Sequence, residues 1–182
     1  MNRMQKQPSV KFLLRDSYLA VIKNSVGTRM YRNFYALVDG VKTDVGRDGQ
    51  LSCAYFVSSV LAALALIKKS HATVGSTIKD LQESGWHEIS GESEPPIGSV
   101  IVWKKVDFGG GEMHGHIGFY IGHDTAISNS EKTGCPIEHP WRSAKHDIEY
   151  IFWNPTLDTA DLSSGAALAT TVASVARAAN TQ

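Results

Sequence analysis

The sequence predicts an α+β fold in which N-terminal helices pack on an antiparallel β-sheet. Apolar residues in the first half recur at the 3.6-residue spacing of a helix face, as in Phe56, Val57, Val60, Leu61, Leu64 and Ile67. The second half changes to short β-branched and aromatic runs separated by Gly, Pro and Asp turns, such as 99–103 and 114–121. Helical segments come first and strands second, an order with no alternating βαβ units from which to build a parallel sheet.

Each element has its own local signal. Residues 9–24 place Val10, Leu13, Leu14, Tyr18, Val21 and Ile22 on one side, an amphipathic helix stopped by Gly27. Between 30 and 45, Tyr31, Phe34, Tyr35, Leu37 and Val38 precede an Asp39-Gly40 turn, giving a short hairpin or a loop over the next helix. Asp48-Gly49 reads as a turn and Ser52 as an N-cap whose hydroxyl accepts from first-turn amides. Cys53 then opens a helix expected to continue to Lys69, because no Pro or Gly interrupts it. Residues 73–84 form a further helix closed by Gly85-Trp86. Pro95-Pro96-Ile97-Gly98 turns the chain into a strand at 99–103, and Gly109-Gly110-Gly111 connects it flexibly to a second at 114–121. A turn at Gly122-His123-Asp124 leads to the strand 125–130, and 147–153 supplies another. Residues 1–157 read as one domain and 158–182, rich in Ala, Ser and Thr without large apolar anchors, as a flexible tail.

Composition narrows the function. Lys plus Arg balance Asp plus Glu at 18 each, which removes the basic field that draws nucleic acid or an anionic membrane surface. Cys53 and Cys135 are the only cysteines, too few for a disulfide framework or a four-cysteine zinc site. No run approaches the ~20 apolar residues of a membrane span. Arg15 and Asp16 interrupt the N-terminal apolar run short of signal-peptide length, so the chain is expected to be cytoplasmic as synthesised.

A cysteine at a helix N-terminus has a chemical rationale. The peptide dipoles there act as roughly half a positive charge, which favours thiolate and is expected to lower the thiol pKa by about one unit or more. The rival reading is a small apolar residue packed in a core. A nucleophile needs a base, and His114 and His116 share one strand face with Tyr120, opposite the core face of Ile117, Phe119 and Ile121. Gly115 and Gly118 leave room beside His116, whose imidazole is suited to take a thiol proton at neutral pH.

The base in turn needs an orienting partner. A two-residue turn at His123-Asp124 sets Gly118 opposite Asn129 and favours that amide; a three-residue turn sets Ser128 there instead. His139, in a 135–141 loop read as a surface turn fixed by Pro136 and Pro140, is the third candidate. Ser52, Tyr55 and His114 flank the pair as candidate substrate contacts, while Trp103, Tyr120 and Trp141 read as core or rim. A different chemistry is also open: His114 and His116 with Cys135 or His139 would offer zinc nitrogen and sulfur ligands.

Three blocks, "SCAYFVSSVL", "PPIGSVIVW" and "HGHIGFYIG", resemble the NlpC family of cell-wall cysteine peptidases and the related CHAP amidases across residues 48–130. The resemblance implies a papain-like core, a peptide or peptidoglycan substrate, Cys53 as nucleophile and His116 as base, with no metal or organic cofactor. It implies either an endopeptidase or an amidase, with non-classical export or phage-type release as the route to a wall. In the family alignment the orienting histidine falls opposite Ser128. Two departures leave the substrate open: Ser52-Cys53-Ala54-Tyr55 stands where many members carry Asp-Cys-Ser-Gly, and Gly98-Ser99 stands where an aspartate is common. A binding module and an acyl-carrying thiol are the remaining readings of the same core.

Overall fold

The computed structural model describes residues 9–107, 113–143 and 147–158. Helix α1 (Leu14–Asn24) is followed by a hairpin of β1 (Tyr35–Val38) and β2 (Val41–Asp44), then α2 (Cys53–Ala63) and α3 (Val74–Glu83). The remaining strands are β3 (His87–Glu88), β4 (Val100–Asp107), β5 (Met113–Gly122), β6 (Thr125–Ser130), β7 (Cys135–Pro140) and β8 (Ile148–Trp153). They form one six-stranded sheet in the order β3-β8-β4-β5-β6-β7 with every pairing antiparallel. This is the expected α+β architecture. Among the described residues no helix is long and apolar enough to cross a membrane.

Helices cover one face of the sheet. Phe56, Val57, Val60 and Leu61 of α2 meet Ile117, Phe119 and Ile127, all essentially inaccessible to water. Truncating a residue such as Phe56 to Ala would cost about 3–5 kcal/mol through lost transfer energy and the cavity left behind. Tyr18 of α1 reaches across to the β4 turn, its hydroxyl donating to the Gly98 carbonyl at 2.7 Å. Gly98 has φ +101° and a Cβ there would lie 2.9 Å from the Tyr18 ring, so the close approach requires glycine. The other face carries a second cluster of Ile101, Trp103, Tyr120, Ala126, Trp141 and Ile151. The face that bears the histidines is therefore packed over much of its length.

Helix α2 ends at Ala63, six residues short of the sequence expectation. Ala65 takes a left-handed φ of 55° and the Leu66 amide donates back to the Leu61 carbonyl, a C-terminal cap built without glycine. Tertiary partners compete for the next groups. Asp80 accepts from the amides of Lys68 and Lys69, and the Leu66 carbonyl accepts from the Trp86 indole. Helix α3 follows expectation, with the Thr73 hydroxyl accepting from the Ser76 amide. Tail residue Asp158 accepts from the Trp153 indole at 3.0 Å, while the rest of the expected tail, 159–182, lies outside the described residues, as do Gly109-Gly110-Gly111.

Residues 135–140, expected as a surface turn, form strand β7. Its place at the sheet edge explains how it tolerates Pro136 and Pro140, since an edge strand need not donate on its outer side. The same edge position brings His139 opposite Ala126.

Candidate active site

Cys53 is the first residue of α2, as its sequence position suggests. The cap differs from expectation. Ser52 makes no side-chain cap to the helix; its hydroxyl, fully buried, lies 3.3 Å from the Arg32 carbonyl. The first-turn amides are thus left for other work, and those of Cys53 and Ala54 face the Cys53 sulfur.

Strand β5 supplies the opposite wall. Its pairing with β6 runs from Gly118 opposite Ser128 to Gly122 opposite Thr125. The Cys53 sulfur lies against β5 N-terminal to that ladder: its thiol is 3.9 Å from the Gly115 carbonyl and also receives the Ile117 amide. These two backbone groups belong to the neighbours of His116, so the helix start meets the β5 backbone on either side of the residue expected to be the base.

The thiol is not the poised anion that a helix dipole alone would give. Burial dominates and pushes its pKa up to about 11, against smaller lowering by the Ala54, Ile117 and Cys53 amides. Cys53 remains partly exposed as a residue while its sulfur sits among backbone. The protonated thiol is therefore the favoured form at neutral pH, and attack from it calls for a proton acceptor.

His116 contacts Ser128. His116 Nε2 lies 2.7 Å from Ser128 Oγ, and the same oxygen lies 2.7 Å from His139 Nε2. Both contacts are diagonal across the sheet: Gly118 pairs with Ser128, and Ala126 with His139. Asn129, the preferred candidate from sequence, is on the other face of β6, where its Nδ2 donates to the Gly49 carbonyl at 2.5 Å. The reason is one residue of register. His123 and Asp124 do form a two-residue turn, both with left-handed φ near 50°, but an irregularity between Tyr120 and Gly122 moves Ser128 opposite Gly118.

Gly118 and Trp103 complete the arrangement. A Cβ on Gly118 would lie 2.7 Å from Ser128 Cβ and 3.1 Å from the Trp103 ring, so the His116–Ser128 contact depends on that missing side chain. Trp103 pairs with His116 across β4 and β5 and packs on both imidazoles, with ring centroids 5.2 Å from His116 and 5.5 Å from His139. Its indole donates to the Trp141 carbonyl at 2.9 Å, which fixes the ring plane. Trp103, which reads as core or rim in the sequence, is packed on both imidazoles, a placement set by strand register.

The expected substrate contacts fare differently. Ser52 is sealed from solvent. Tyr55 is half-buried and stacked on Phe34 at 4.6 Å, with Tyr31 at 6.3 Å, so it packs the loop that precedes the first hairpin. His114 is half-buried on β5 on the same face as His116, opposite Val106. Among the described residues no three His, Cys, Asp or Glu side chains converge as metal ligands. Cys135 contacts Thr133 Oγ1 at 3.4 Å, at the end of β7 away from His139. Two surface clefts, one lined by Glu88, Arg142 and Tyr150 and one by Lys69, His71 and Asp80, do not include Cys53 or His116. No protein-family model matches the chain, and no curated protein matches it significantly.

Proposed function

We propose that this chain is a cysteine hydrolase with a papain-like core that cleaves an amide bond in peptidoglycan, as an endopeptidase or amidase. The observation that carries the reading is the position of the Cys53 sulfur between the Gly115 carbonyl and the Ile117 amide, on either side of His116, which is itself held by Ser128. Cys53 is the nucleophile, His116 the general base and Ser128 its orienting partner. The resemblance of the three sequence blocks to cell-wall peptidases supports the choice of substrate.

The chemistry follows from the raised thiol pKa. His116 accepts the S–H proton as sulfur bonds to the substrate carbonyl carbon, avoiding a free thiolate in a site that disfavours one. In this reading the Cys53 and Ala54 amides, which lie beside the sulfur, donate to the oxyanion, a role typically worth about 3 kcal/mol per donor. Collapse breaks the C–N bond, and the imidazolium gives its proton to the leaving amine. Water then attacks the thioester, losing a proton to His116; the C–S bond breaks, and that proton returns to sulfur.

Digestion of purified peptidoglycan with wild type and Cys53→Ala, followed by mass analysis of the fragments, tests the proposal. New fragments carrying free amine and carboxyl ends with wild type only are expected. Identical fragment profiles would overturn it.

A further inference from the structure

His139 lies beyond the three sequence blocks, yet its hydrogen bonds have a direction that reaches the proposed base. Its Nδ1 is 2.9 Å from the Pro140 carbonyl oxygen. A carbonyl only accepts, so the hydrogen sits on Nδ1, and in the neutral ring Nε2 carries the lone pair. Ser128 Oγ, 2.7 Å from that lone pair, donates its single proton to it. No hydroxyl proton then remains for His116, whose Nε2, also at 2.7 Å, must donate to the serine oxygen. The chain of donors therefore runs from His116 through Ser128 to His139 and ends on backbone.

We infer that His139 is a positioning residue that, acting through Ser128, holds His116 as the Nε2–H tautomer with its lone pair on Nδ1. A base for Cys53 needs a ring nitrogen without a proton, and the other nitrogen is already committed to Ser128. The catalytic meaning rests on the hydrolase reading above; the tautomer itself does not. The surroundings leave the hydroxyl little freedom to choose another partner. Ser128 is 2% exposed, Trp103 packs on both imidazoles, and the ring centroids of His116 and His139 are 6.4 Å apart on either side of it. Removing the His139 acceptor would leave a buried hydroxyl proton unpaired, a costly state that turning toward His116 relieves. His116 would then carry its hydrogen on Nδ1 and lose its basic nitrogen.

Two-bond proton–nitrogen correlation spectra of the full chain, labelled with ¹⁵N-histidine, read the tautomer of each ring directly. Wild type is expected to show His116 as Nε2–H and His139 as Nδ1–H. In His139→Ala the His116 signal is expected to move toward Nδ1–H, and in His139→Gln, whose amide oxygen accepts from Ser128, to return. Turnover of peptidoglycan should follow, with kcat reduced on the order of tenfold or more in His139→Ala and KM little changed, since a wrong tautomer in a related triad is costly. A wild-type His116 in the Nδ1–H form overturns the inference even if the alanine variant fails to fold, as does an unchanged His116 tautomer in folded His139→Ala. An inert protein with His116 as Nε2–H would contradict the hydrolase reading and uphold the relay.

Discussion

Ser128 and Asn129 are neighbours that face opposite sides of β6 and hold the two halves of the candidate site to one strand. Ser128 Oγ lies 2.7 Å from His116 Nε2, while Asn129 donates to the Gly49 carbonyl four residues ahead of Cys53. The strand thus sets the spacing between the helix that carries sulfur and the strand that carries imidazole. Close packing supports this, because Gly49 and Gly134 meet where no side chain would fit.

The two side chains should therefore fail differently. Ser128→Ala removes the group that orients His116 and is expected to lower kcat on the order of 10²-fold with little change in KM. Asn129→Ala breaks a buried hydrogen bond and is expected to cost about 1–3 kcal/mol of stability, with a smaller fall in kcat than Ser128→Ala. Steady-state kinetics and urea melts of both variants make the comparison; equal kinetic losses would remove the distinction.

Gly118→Ala places a methyl against Ser128 Cβ and the Trp103 ring. Overpacking of this kind typically costs about 1–3 kcal/mol, and here it must also displace the His116–Ser128 contact. The expected result is a modest fall in melting temperature accompanied by a large fall in activity. Wild-type activity in a folded variant would show that the contact is dispensable.

Much of this arrangement was legible in the sequence. The apolar period around Phe56 and the β-branched runs at 99–103 and 114–121 are strong because core burial enforces them, and they mark the sheet and its helices, whereas Cys53 and His116 stand out only by their places at a helix start and on a glycine-flanked strand. Which β6 residue reaches His116 depended on strand register, which hydrophobic alternation leaves ambiguous where the ladder between Tyr120 and Gly122 is irregular. Strand β7 was obscured by two prolines that only an edge position permits. The end of α2 was set by Asp80 and Trp86, residues distant in sequence, through contacts that local propensity does not encode. The thiol was expected to be acidified by the helix dipole; burial among β5 backbone outweighed that effect.

That burial has a consequence for stability against pH. Because the folded thiol titrates near 11 and the unfolded one near 9.0, the folded state holds more protons between those values. The contribution is fully present below pH 9 and is lost as pH rises through about 11. Cys53→Ala should therefore lose less melting temperature than wild type between pH 8.5 and 10.5, as calorimetry at matched ionic strength would show. Parallel curves would mean the thiol is not disfavoured as an anion.

Asp80 predicts the opposite trend in acid. It is 4% exposed and accepts from the His71 ring, the Lys68 and Lys69 amides and the Ser84 hydroxyl. Its pKa is lowered: burial works to raise it, but the hydrogen bonds from His71, Lys68, Ser84 and Lys69 together outweigh that. The stabilisation is present above the unfolded carboxylate value of about 3.9 and is lost as pH falls through the lower folded value. Asp80→Ala should destabilise the protein by about 2–4 kcal/mol at neutral pH and flatten the acid limb of its stability profile. An unaltered acid limb in the folded variant would place the acid sensitivity elsewhere.

The most direct measurement of the central claim is mass-spectrometric mapping of an amide-like electrophilic probe at pH 7, using Cys135 as an internal control. If Cys53 is a nucleophile activated by His116, the probe labels Cys53 well ahead of Cys135 in wild type, and the preference disappears in His116→Ala. Equal labelling of the two thiols, or Cys53 labelling that survives loss of the His116 ring, would contradict the account.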